Sequence, residues 1–298
     1  MRAVVTGGAG FIGSNLVDAL VARGDEVTVV DDLSFGKREN LNPAATLVEQ
    51  NIREGLDLDG AEVVFHLAAQ ADVQTSVKRP DHDAEVNVVG TVRVLEAART
   101  AGAQVIFSST GGAIYGECDG PADENARLAP MSPYGIAKLC AEQYLFGWNR
   151  IHATPNVVLR FANVYGPRQD SGLEGGVVSI FLERMARGDE TVIYGDGGQS
   201  RDFVYVGDVV SSLLAAVGRD GGVFNVGTGS ETTVLGLHDA CRAVAGGASE
   251  ARFEPARLGD ARRSVLDVSL AARELGWSAQ VSLDEGLART WQWLVSQQ

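Results

Sequence analysis

The chain has 298 residues, and its 39 acidic residues outnumber its 25 Lys and Arg residues, giving a formal net charge of −14. So acidic a chain repels nucleic-acid phosphates and anionic membrane surfaces, and neither is expected as a partner. Hydrophobic residues make up 45% and charged residues 21%, which is typical of a globular protein and excludes a disordered one. No apolar run approaches the ~18 residues that span a bilayer.

The three cysteines, Cys118, Cys140 and Cys241, lie far apart and form no CxxC pair. This pattern argues against a disulfide framework and a structural zinc site, and no metal is expected. It favours a reducing compartment, the cytoplasm. Glycines interrupt the N-terminus too early for the apolar region of a signal peptide.

The first half of the chain alternates short β-branched runs with longer segments of helical periodicity. Strands are expected at Ala3–Thr6, Glu26–Val30, Glu62–Leu67, Gln104–Ser108 and Asn156–Phe161, and helices at Ile12–Arg23, Ala84–Ala101 and Pro133–Ile151. Strands separated by helices of this length form parallel βαβ units. The sequence therefore predicts an α/β protein with a Rossmann-type doubly wound parallel sheet, followed by a smaller mixed α/β domain.

The character of the sequence changes after Gly166 and Pro167, where Gly-rich loops begin to separate short elements. We therefore expect one domain over residues 1–166 and a second over 167–298. A segment near 203–225 is expected to return to the first domain, because its apolar start leads into a helical pattern.

A glycine motif follows the first predicted strand and opens the first predicted helix. Gly7 permits a sharp turn, Gly10 lets the backbone approach a pyrophosphate, and Gly13 lets helix and strand pack closely. Asp31, at the end of the next strand, is placed to bind an adenosine ribose. With Asp32 it puts negative charge where the 2′-phosphate of NADP would lie. Residues 1–166 are therefore predicted to bind NAD.

A tyrosine and a lysine stand four residues apart at a predicted helix start. Ser132 is a good N-cap and Pro133 a good first helical residue. Tyr134 then lies in the first turn, where the helix dipole favours a phenolate, and Lys138 adds a cation on the same face. The hydroxyls of Ser108–Thr110 end a predicted strand, at the sheet edge where ligands bind. These groups predict a tyrosine base that shares a proton with an alcohol substrate.

Together these motifs resemble those of the extended short-chain dehydrogenase/reductase family over nearly the whole chain. The segments His66–Gln70, Asn87–Thr91, Arg160–Arg168 and Tyr194–Val204 are similar to further signatures of its nucleotide-sugar branch, most closely the UDP-glucose 4-epimerases. The resemblance implies an NAD-dependent isomerase that epimerises a UDP-hexose at C4 through a 4-keto intermediate. UDP-glucose and UDP-galactose are the implied substrates, with their N-acetyl forms. It also implies a homodimer packed through two helices of each subunit, near Ala84–Ala101 and Pro133–Ile151.

The resemblance also assigns site residues. Catalytic roles fall to Thr110, Tyr134 and Lys138, with Ser109 as the alternative to Thr110. Cofactor contacts are implied for Gly7, Gly10, Phe11, Ile12, Gly13, Asp31, Asp32, Leu33, Ser34, Gly36, Asn51, Ile52, Leu67, Ala68, Ala69, Gln70, Asn87, Ser108, Tyr134, Lys138 and Phe161. Substrate contacts are implied for Thr110, Tyr134, Asn163, Gly176, Val177, Val178, Val192, Ile193, Tyr194, Gln199, Arg201, Arg257, Asp260 and Ser264. Residues 167–298 are thus the expected nucleotide-sugar domain.

Three further positions are singled out. Ser264 stands seven residues after Arg257, where family members carry a gatekeeper near C2 of the sugar, and its small side chain implies that N-acetylated sugars are accepted. Asn51 stands where the family usually has Asp. His66 is interpreted as a core residue at a strand end.

Two alternative functions stay open. Dehydratases of the family place Asp-Glu after the threonine, whereas Gly111–Ala113 follow Thr110 here, which favours epimerisation over a nucleotide-sugar 4,6-dehydratase or a decarboxylase. A non-catalytic NAD-binding protein is the remote alternative, and the presence of both Tyr134 and Lys138 argues against it.

Overall fold

The computed structural model describes residues 1–172, 176–247, 250–256 and 261–297. In these ranges the strands are β1 Arg2–Thr6, β2 Glu26–Asp31, β3 Thr46–Glu49, β4 Val63–His66, β5 Gln104–Thr110, β6 Val157–Phe161, β7 Asn163–Tyr165, β8 Thr191–Tyr194, β9 Ser200–Arg201, β10 Phe203–Tyr205, β11 Gly222–Val226, β12 Thr232–Thr233, β13 Ala251–Glu254 and β14 Arg263–Ser264. The α-helices are α1 Phe11–Ala22, α2 Val73–Lys78, α3 Pro80–Ala84, α4 Thr91–Ala101, α5 Gly111–Ile114, α6 Pro133–His152, α7 Val177–Arg187, α8 Val206–Ala215, α9 Val234–Val244, α10 Ser269–Glu274 and α11 Leu283–Ser296. Short 3-10 helices lie at Arg38–Asn40 and Ile52–Glu54.

A seven-stranded parallel sheet organises the fold, in the order β11-β6-β5-β4-β1-β2-β3. Side chains alternate across each strand, so Ala3 and Val5 of β1 face one core and Val4 the other. Helices α1, α8 and α10 cover the first face, and α4 and α6 cover the second. The predicted α/β fold with a doubly wound Rossmann-type sheet is confirmed.

The strand order reverses between β1 and β4. In an open α/β sheet, ligands bind beyond the carboxyl ends of the strands at such a reversal. The glycine motif after β1, the Leu67–Gln70 turn after β4 and the hydroxyl run at the end of β5 all lie at this edge.

The helix expected from Ala84 to Ala101 begins earlier and is not regular. It runs without a break from α3 through a π-helical turn, Glu85–Gly90, into α4. Hydrophobic periodicity does not reveal the widened turn. The π-helical turn places Asn87 in the interior, 2% exposed, beneath the edge of the sheet. Such turns are frequent at functional sites.

The later part of the chain builds a third core. Helices α7, α9 and α11 pack around Phe181, Leu182 and Leu237, beside the pairs β7–β10 and β8–β13 and the small sheet β12-β9-β14. Helix α8 packs against α1 instead, and β11 pairs with β6 at the edge of the large sheet.

Candidate active site

A cavity of about 770 Å³ runs along the carboxyl edge of the large sheet. It extends from the turns after β1 and β2, past the ends of β4, β5 and β6, to α7 and β8. Of the residues expected at the site, its wall contains Gly7, Gly10, Phe11, Ile12, Gly13, Asp31, Asp32, Ser34, Gly36, Asn51, Ile52, Leu67, Ala68, Ala69, Gln70, Ser108, Ser109, Thr110, Tyr134, Lys138, Phe161, Asn163, Gly176, Val177, Val192, Tyr194, Gln199 and Arg201.

Other expected contacts do not form part of this wall. Ile193 is fully buried in the third core, because strand alternation turns it away from the face that Val192 and Tyr194 present. Val178 packs in the same core. The remaining described residues outside the wall are Leu33, Asn87 and Ser264, and Arg257 and Asp260 lie outside the described residues.

The glycine motif has the geometry that a bound pyrophosphate needs. Gly7 has φ +72°, and a Cβ there would stand 2.6 Å from the backbone nitrogen of Ala68. A Cβ on Gly13 would stand 2.1 Å from the carbonyl oxygen of Gly7. Gly10 is the N-cap of α1, and no side chain accepts hydrogen bonds from the first N–H groups of the helix. These groups lie at the cavity, where they are suited to bind an anion.

Two carboxylates lie at the end of β2. Asp31 is buried and accepts hydrogen bonds from the backbone N–H groups of Ala9 and Leu33, each at 2.9 Å, and burial raises its pKa. Asp32 accepts from Ser34 and, at 2.6 Å, from the Asn51 amide. The two acids make this end of the cavity unfavourable for an additional phosphate and suitable for ribose hydroxyls.

The catalytic helix starts as predicted. The Ser132 hydroxyl accepts a hydrogen bond from the N–H of Gly135 at 3.2 Å, and Pro133 is the first helical residue. Tyr134 therefore lies in the first turn of α6, half-buried in the cavity wall. The N-cap fixes where the helix begins and so sets the height of Tyr134 above the sheet.

Lys138 lies one turn below and is 3% exposed. Its Nζ donates to the Ser108 carbonyl at 3.0 Å and lies 4.8 Å from the Phe107 ring centroid. Burial lowers the pKa of Lys138 to about 8, while the charges of Asp83 and Glu142 act in the opposite direction. The pKa of Lys138 is thus closer to neutral pH than the ordinary lysine value of 10.5.

A buried polar network holds Ser109. Its hydroxyl donates to Glu142 at 2.5 Å, and the Arg160 guanidinium grips the same carboxylate through two hydrogen bonds of 3.0 and 2.7 Å. Arg160 also donates to the Tyr115 hydroxyl at 2.8 Å. Ser109 and Thr110 both line the cavity, but the Ser109 proton is directed into the protein, toward Glu142. Thr110 is half-buried at the strand end.

His66 joins the turns beneath the cavity. Because the Thr91 hydroxyl donates to the Asn87 carbonyl at 2.7 Å, His66 Nε2 must carry a proton and donate to Thr91 at 3.0 Å. His66 Nδ1 then accepts from the Thr6 hydroxyl at 2.8 Å. Burial lowers the pKa of His66 to about 3, and at 1% exposed it is a core residue, as interpreted from the sequence.

This network predicts an acid-sensitive contribution to stability. The unfolded chain protonates His66 below an ordinary pKa of 6.5, whereas the folded chain does not until about 3. Stability is therefore lost as the pH falls below 6.5, by about 2 kcal/mol at pH 5. In urea unfolding at pH 7 and pH 5, His66→Gln should lose correspondingly less stability than the wild type. The exposed His152→Gln is the control, and an equal loss in all three proteins contradicts the assignment.

The cavity wall also contains residues that the sequence did not single out. Ile180, Phe181 and Arg184 lie on the same face of α7 as the expected Val177, a helical spacing that is visible in the sequence. The other unanticipated residues carry no such signal, because loops or distant segments bring them to the wall: Val30, Phe35, Gln50, Arg53, Ala71, Asp72, His82, Val86, Ala162, Val164, Gln169 and Val234.

The described ranges contain no group of three or more His, Cys, Asp or Glu side chains that could hold a metal ion, and no helix long and apolar enough to cross a membrane. Cys118, Cys140 and Cys241 are free thiols. The reactive groups of the cavity are therefore a phenol, an ammonium and a hydroxyl beside a dinucleotide-type glycine turn.

Comparison with known proteins identifies relatives of this chain. The profile of the NAD dependent epimerase/dehydratase family matches residues 3–227. The UDP-glucose 4-epimerase of Mycolicibacterium smegmatis is 47% identical over 97% of each chain. The structure of UDP-glucose 4-epimerase from Thermotoga maritima with UDP-glucose has a TM-score of 0.97 and 48% identity, covering 100% of this chain and 99% of that one. The Thermus thermophilus UDP-glucose 4-epimerase in complex with NAD has a TM-score of 0.91 and 41% identity, covering 99% of each. The chain belongs to the NAD dependent epimerase/dehydratase family.

Proposed function

We propose that this chain is an isomerase that epimerises a UDP-hexose at C4, with NAD as its cofactor, through a 4-keto sugar. The observation that carries the proposal is that Thr110, Tyr134 and Lys138 meet on one wall of a cavity whose far end is the glycine turn of β1 and α1. Similarity to several UDP-glucose 4-epimerases supports the choice of reaction.

The residues at the sheet edge fit NAD. The first turn of α1 would hold the diphosphate, Asp31 the adenosine ribose and Asn51 the adenine edge, with Leu67–Gln70 and Lys138 at the nicotinamide half. When bound, NAD supplies the redox chemistry, taking a hydride from C4 of the sugar and returning it to the opposite face. The protein's own task is to orient the sugar and to manage one proton.

Tyr134 performs the proton transfer in this proposal. Its phenolate oxygen takes the proton of the 4-hydroxyl and later returns it, while the Lys138 cation one turn below stabilises the phenolate. Thr110 donates a hydrogen bond to the sugar oxygen, on which negative charge develops. The proton stays in the site between the two half-reactions, so no external acid is consumed.

The second half of the cavity suits a nucleotide diphosphate in an otherwise acidic protein. Arg201 would hold the diphosphate with Asn163 and the N-terminal turn of α7, and Val192 and Tyr194 would flank the base. Residues 1–166, with a return near 203–225, are proposed as the NAD domain and 167–298 as the nucleotide-sugar domain. The pairing of β11 with β6 supports that return.

Turnover of two sugars tests the proposal. The protein is incubated with UDP-galactose and with UDP-N-acetylgalactosamine, without added reduced cofactor, and the anomeric signals are followed by NMR. We expect the gluco epimer to appear with no net change in cofactor absorbance. No conversion by protein that carries NAD, or a 4-keto-6-deoxy product, overturns the proposal; the latter would indicate a dehydratase, although Gly111 and Gly112 offer no acid after Thr110.

Thr110, and not Ser109, is expected to face the sugar. Thr110→Val removes the hydroxyl at nearly constant shape and should lower kcat by about 100-fold, the usual loss for one donor to a developing oxyanion. Ser109→Ala leaves Glu142 paired with Arg160, so kcat should stay within about threefold of the wild type. Steady-state kinetics on protein with equal bound NAD decides. A larger loss for Ser109→Ala would exchange the two roles.

The sugar preference is assigned to Ser264. It lies on β14, whose register places it opposite Arg201 of the cavity wall, and it is small and 8% exposed. Ser264→Tyr should reduce turnover of the N-acetylated sugar about tenfold more than turnover of UDP-galactose. The larger side chain is added behind the half of the cavity that is proposed to hold the nucleotide sugar, so the larger sugar should lose more. The exposed Ser278→Tyr should change neither. Equal losses of both sugars in Ser264→Tyr contradict the assignment.

We further propose a cytoplasmic homodimer. Apolar side chains are exposed on the helices expected at the interface: Val89 in the π-helical turn, and Ile136, Tyr144 and Ile151 on α6, the last 71% exposed. Covering them in a partner's matching helices would remove apolar area from water. Light scattering of the purified protein should give twice the chain mass, and a monomer at micromolar concentration contradicts this.

A further inference from the structure

A short segment between β7 and α7 is tied to the first part of the chain. We call residues 166–170 the strap. The Asn15 amide donates to the Pro167 carbonyl at 3.2 Å, and Arg168 forms an ion pair with Asp18 at 2.7 Å. Asn15 and Asp18 both belong to α1, so the strap is fastened along the helix whose first turn faces the cavity.

A second fastening lies at the rim of the cavity. The Lys37 ammonium and the Asp170 carboxylate form an ion pair at 2.8 Å. Their neighbours, Gly36 and Gln169, both line the cavity, and the Lys37 backbone N–H donates to the carbonyl of Ala9 in the glycine turn. The ion pair therefore joins two parts of the cavity rim: the loop after β2, which carries Gly36 and Lys37, and the strap, which carries Gln169 and Asp170.

The strap is held in a conformation that it would not adopt freely. Arg168 has φ +72°, in the left-handed region that residues with a side chain rarely occupy. Such a conformation persists only where the surroundings impose it, here the ion pair with Asp18 and the hydrogen bond of the Gln169 amide to the Val164 carbonyl at 3.0 Å. The strap is thus fixed in place on both sides of Arg168.

We propose that the strap, held in place by the ion pair between Lys37 and Asp170, retains the dinucleotide in its cavity between turnovers. We call this ion pair the latch. The inference rests on the proposed function, because it needs NAD in that cavity. An epimerase returns the hydride to the sugar it came from, so a cofactor that stays bound serves every cycle. The diphosphate end at α1 and the ribose end after β2 both lie beside the joined rims, and exit across them requires Lys37 and Asp170 to separate.

The electrostatics of the latch make it sensitive to salt. A hydrogen bond to Asp170 raises the pKa of Lys37, and the charges of Asp170, Glu39 and Glu183 act in the same direction, so Lys37 stays charged at neutral pH. The side chains are 47% and 30% exposed, so dissolved ions reach the pair and weaken it.

The release rate of NAD tests the latch. NAD-loaded protein is mixed with an excess of an enzyme that consumes free NAD, so that the rate of consumption reports the rate of release. The wild type is compared with Lys37→Asp, with Asp170→Lys and with the double exchange, the variant that carries both substitutions. Each single reversal sets like charges together and should speed release about fivefold, and the double exchange should restore a rate within about twofold of the wild type. Molar salt should speed release from the wild type and not from the single variants.

A matched control comes from the exposed pair Arg219–Glu274, which joins the end of α8 to α10 away from the cavity. Arg219→Glu should leave the release rate unchanged. If both single reversals release NAD at the wild-type rate, or the double exchange stays fast, the latch is overturned and the proposed function stands. If the folded wild type binds no NAD, both the latch and the proposed function are overturned.

Discussion

Tyr134→Phe is expected to lower the turnover of UDP-galactose by at least about 1,000-fold while NAD remains bound. The substitution removes one oxygen atom and keeps the ring that fills this part of the cavity wall. Among the described residues of the wall, no other group is placed like the phenol, in the first turn of α6 and one turn above a buried ammonium. The loss should therefore appear in kcat, with little change in KM.

The matched control is Tyr144→Phe on the same helix, where the ring is 40% exposed. It should turn over at the wild-type rate. Bound NAD is quantified in all three proteins after denaturation, so that a lost cofactor is not mistaken for lost proton transfer. If Tyr134→Phe keeps more than a tenth of the activity with its NAD in place, another group must move the proton.

The parts of the site that the sequence could predict are those set by local rules. The glycine spacing, the N-cap at Ser132 and the Tyr134–Lys138 pair depend on residues a few positions apart, and the structure places all of them at one edge of the sheet. Five of the seven strands of the sheet followed from alternating strand and helix lengths, whereas β3 and β11 were not predicted as strands, and β5 runs two residues further than expected, to Thr110.

What the sequence could not predict depends on contacts between distant segments. The π-helical turn carries Asn87, whose side-chain amide donates a hydrogen bond to the Gln70 carbonyl and accepts one from the Gln70 N–H. The strap needs Lys37 and Asp170 to meet across 133 residues. A pattern of hydrophobicity carries no record of such partners, and Ile193 shows the complementary error, since family resemblance assigned a contact that strand alternation turns inward.

Helix α6 presents a stripe of functional side chains toward β5 and β6. Tyr134, Lys138 and Glu142 follow at intervals of four residues, each one turn deeper than the last. Lys138 holds the carbonyl of Ser108, and Glu142 holds the hydroxyl of Ser109. The helix that carries the proposed base is thus attached at two levels to the strand that carries Thr110, which fixes the distance between Tyr134 and Thr110.

Glu142→Ala is consequently expected to lower the free energy of unfolding by about 3–5 kcal/mol, because it leaves the Arg160 guanidinium buried without its counter-ion. The carboxylate of Glu142 is fully buried and the Arg160 side chain is 3% exposed. The double replacement Glu142→Met with Arg160→Met removes both charges and should regain most of that loss, since the apolar side chains fill the space without a desolvation cost.

Urea unfolding measured by circular dichroism, with NAD removed from every protein, gives the comparison. Glu274→Ala breaks the exposed pair with Arg219 and should cost less than about 1 kcal/mol. A similarly small cost for Glu142→Ala would mean that water or the Tyr115 hydroxyl replaces the lost carboxylate. A double variant as unstable as Glu142→Ala would assign the stability to the hydrogen bonds of Arg160 with Tyr115 and the Glu124 carbonyl, and not to the charge pair.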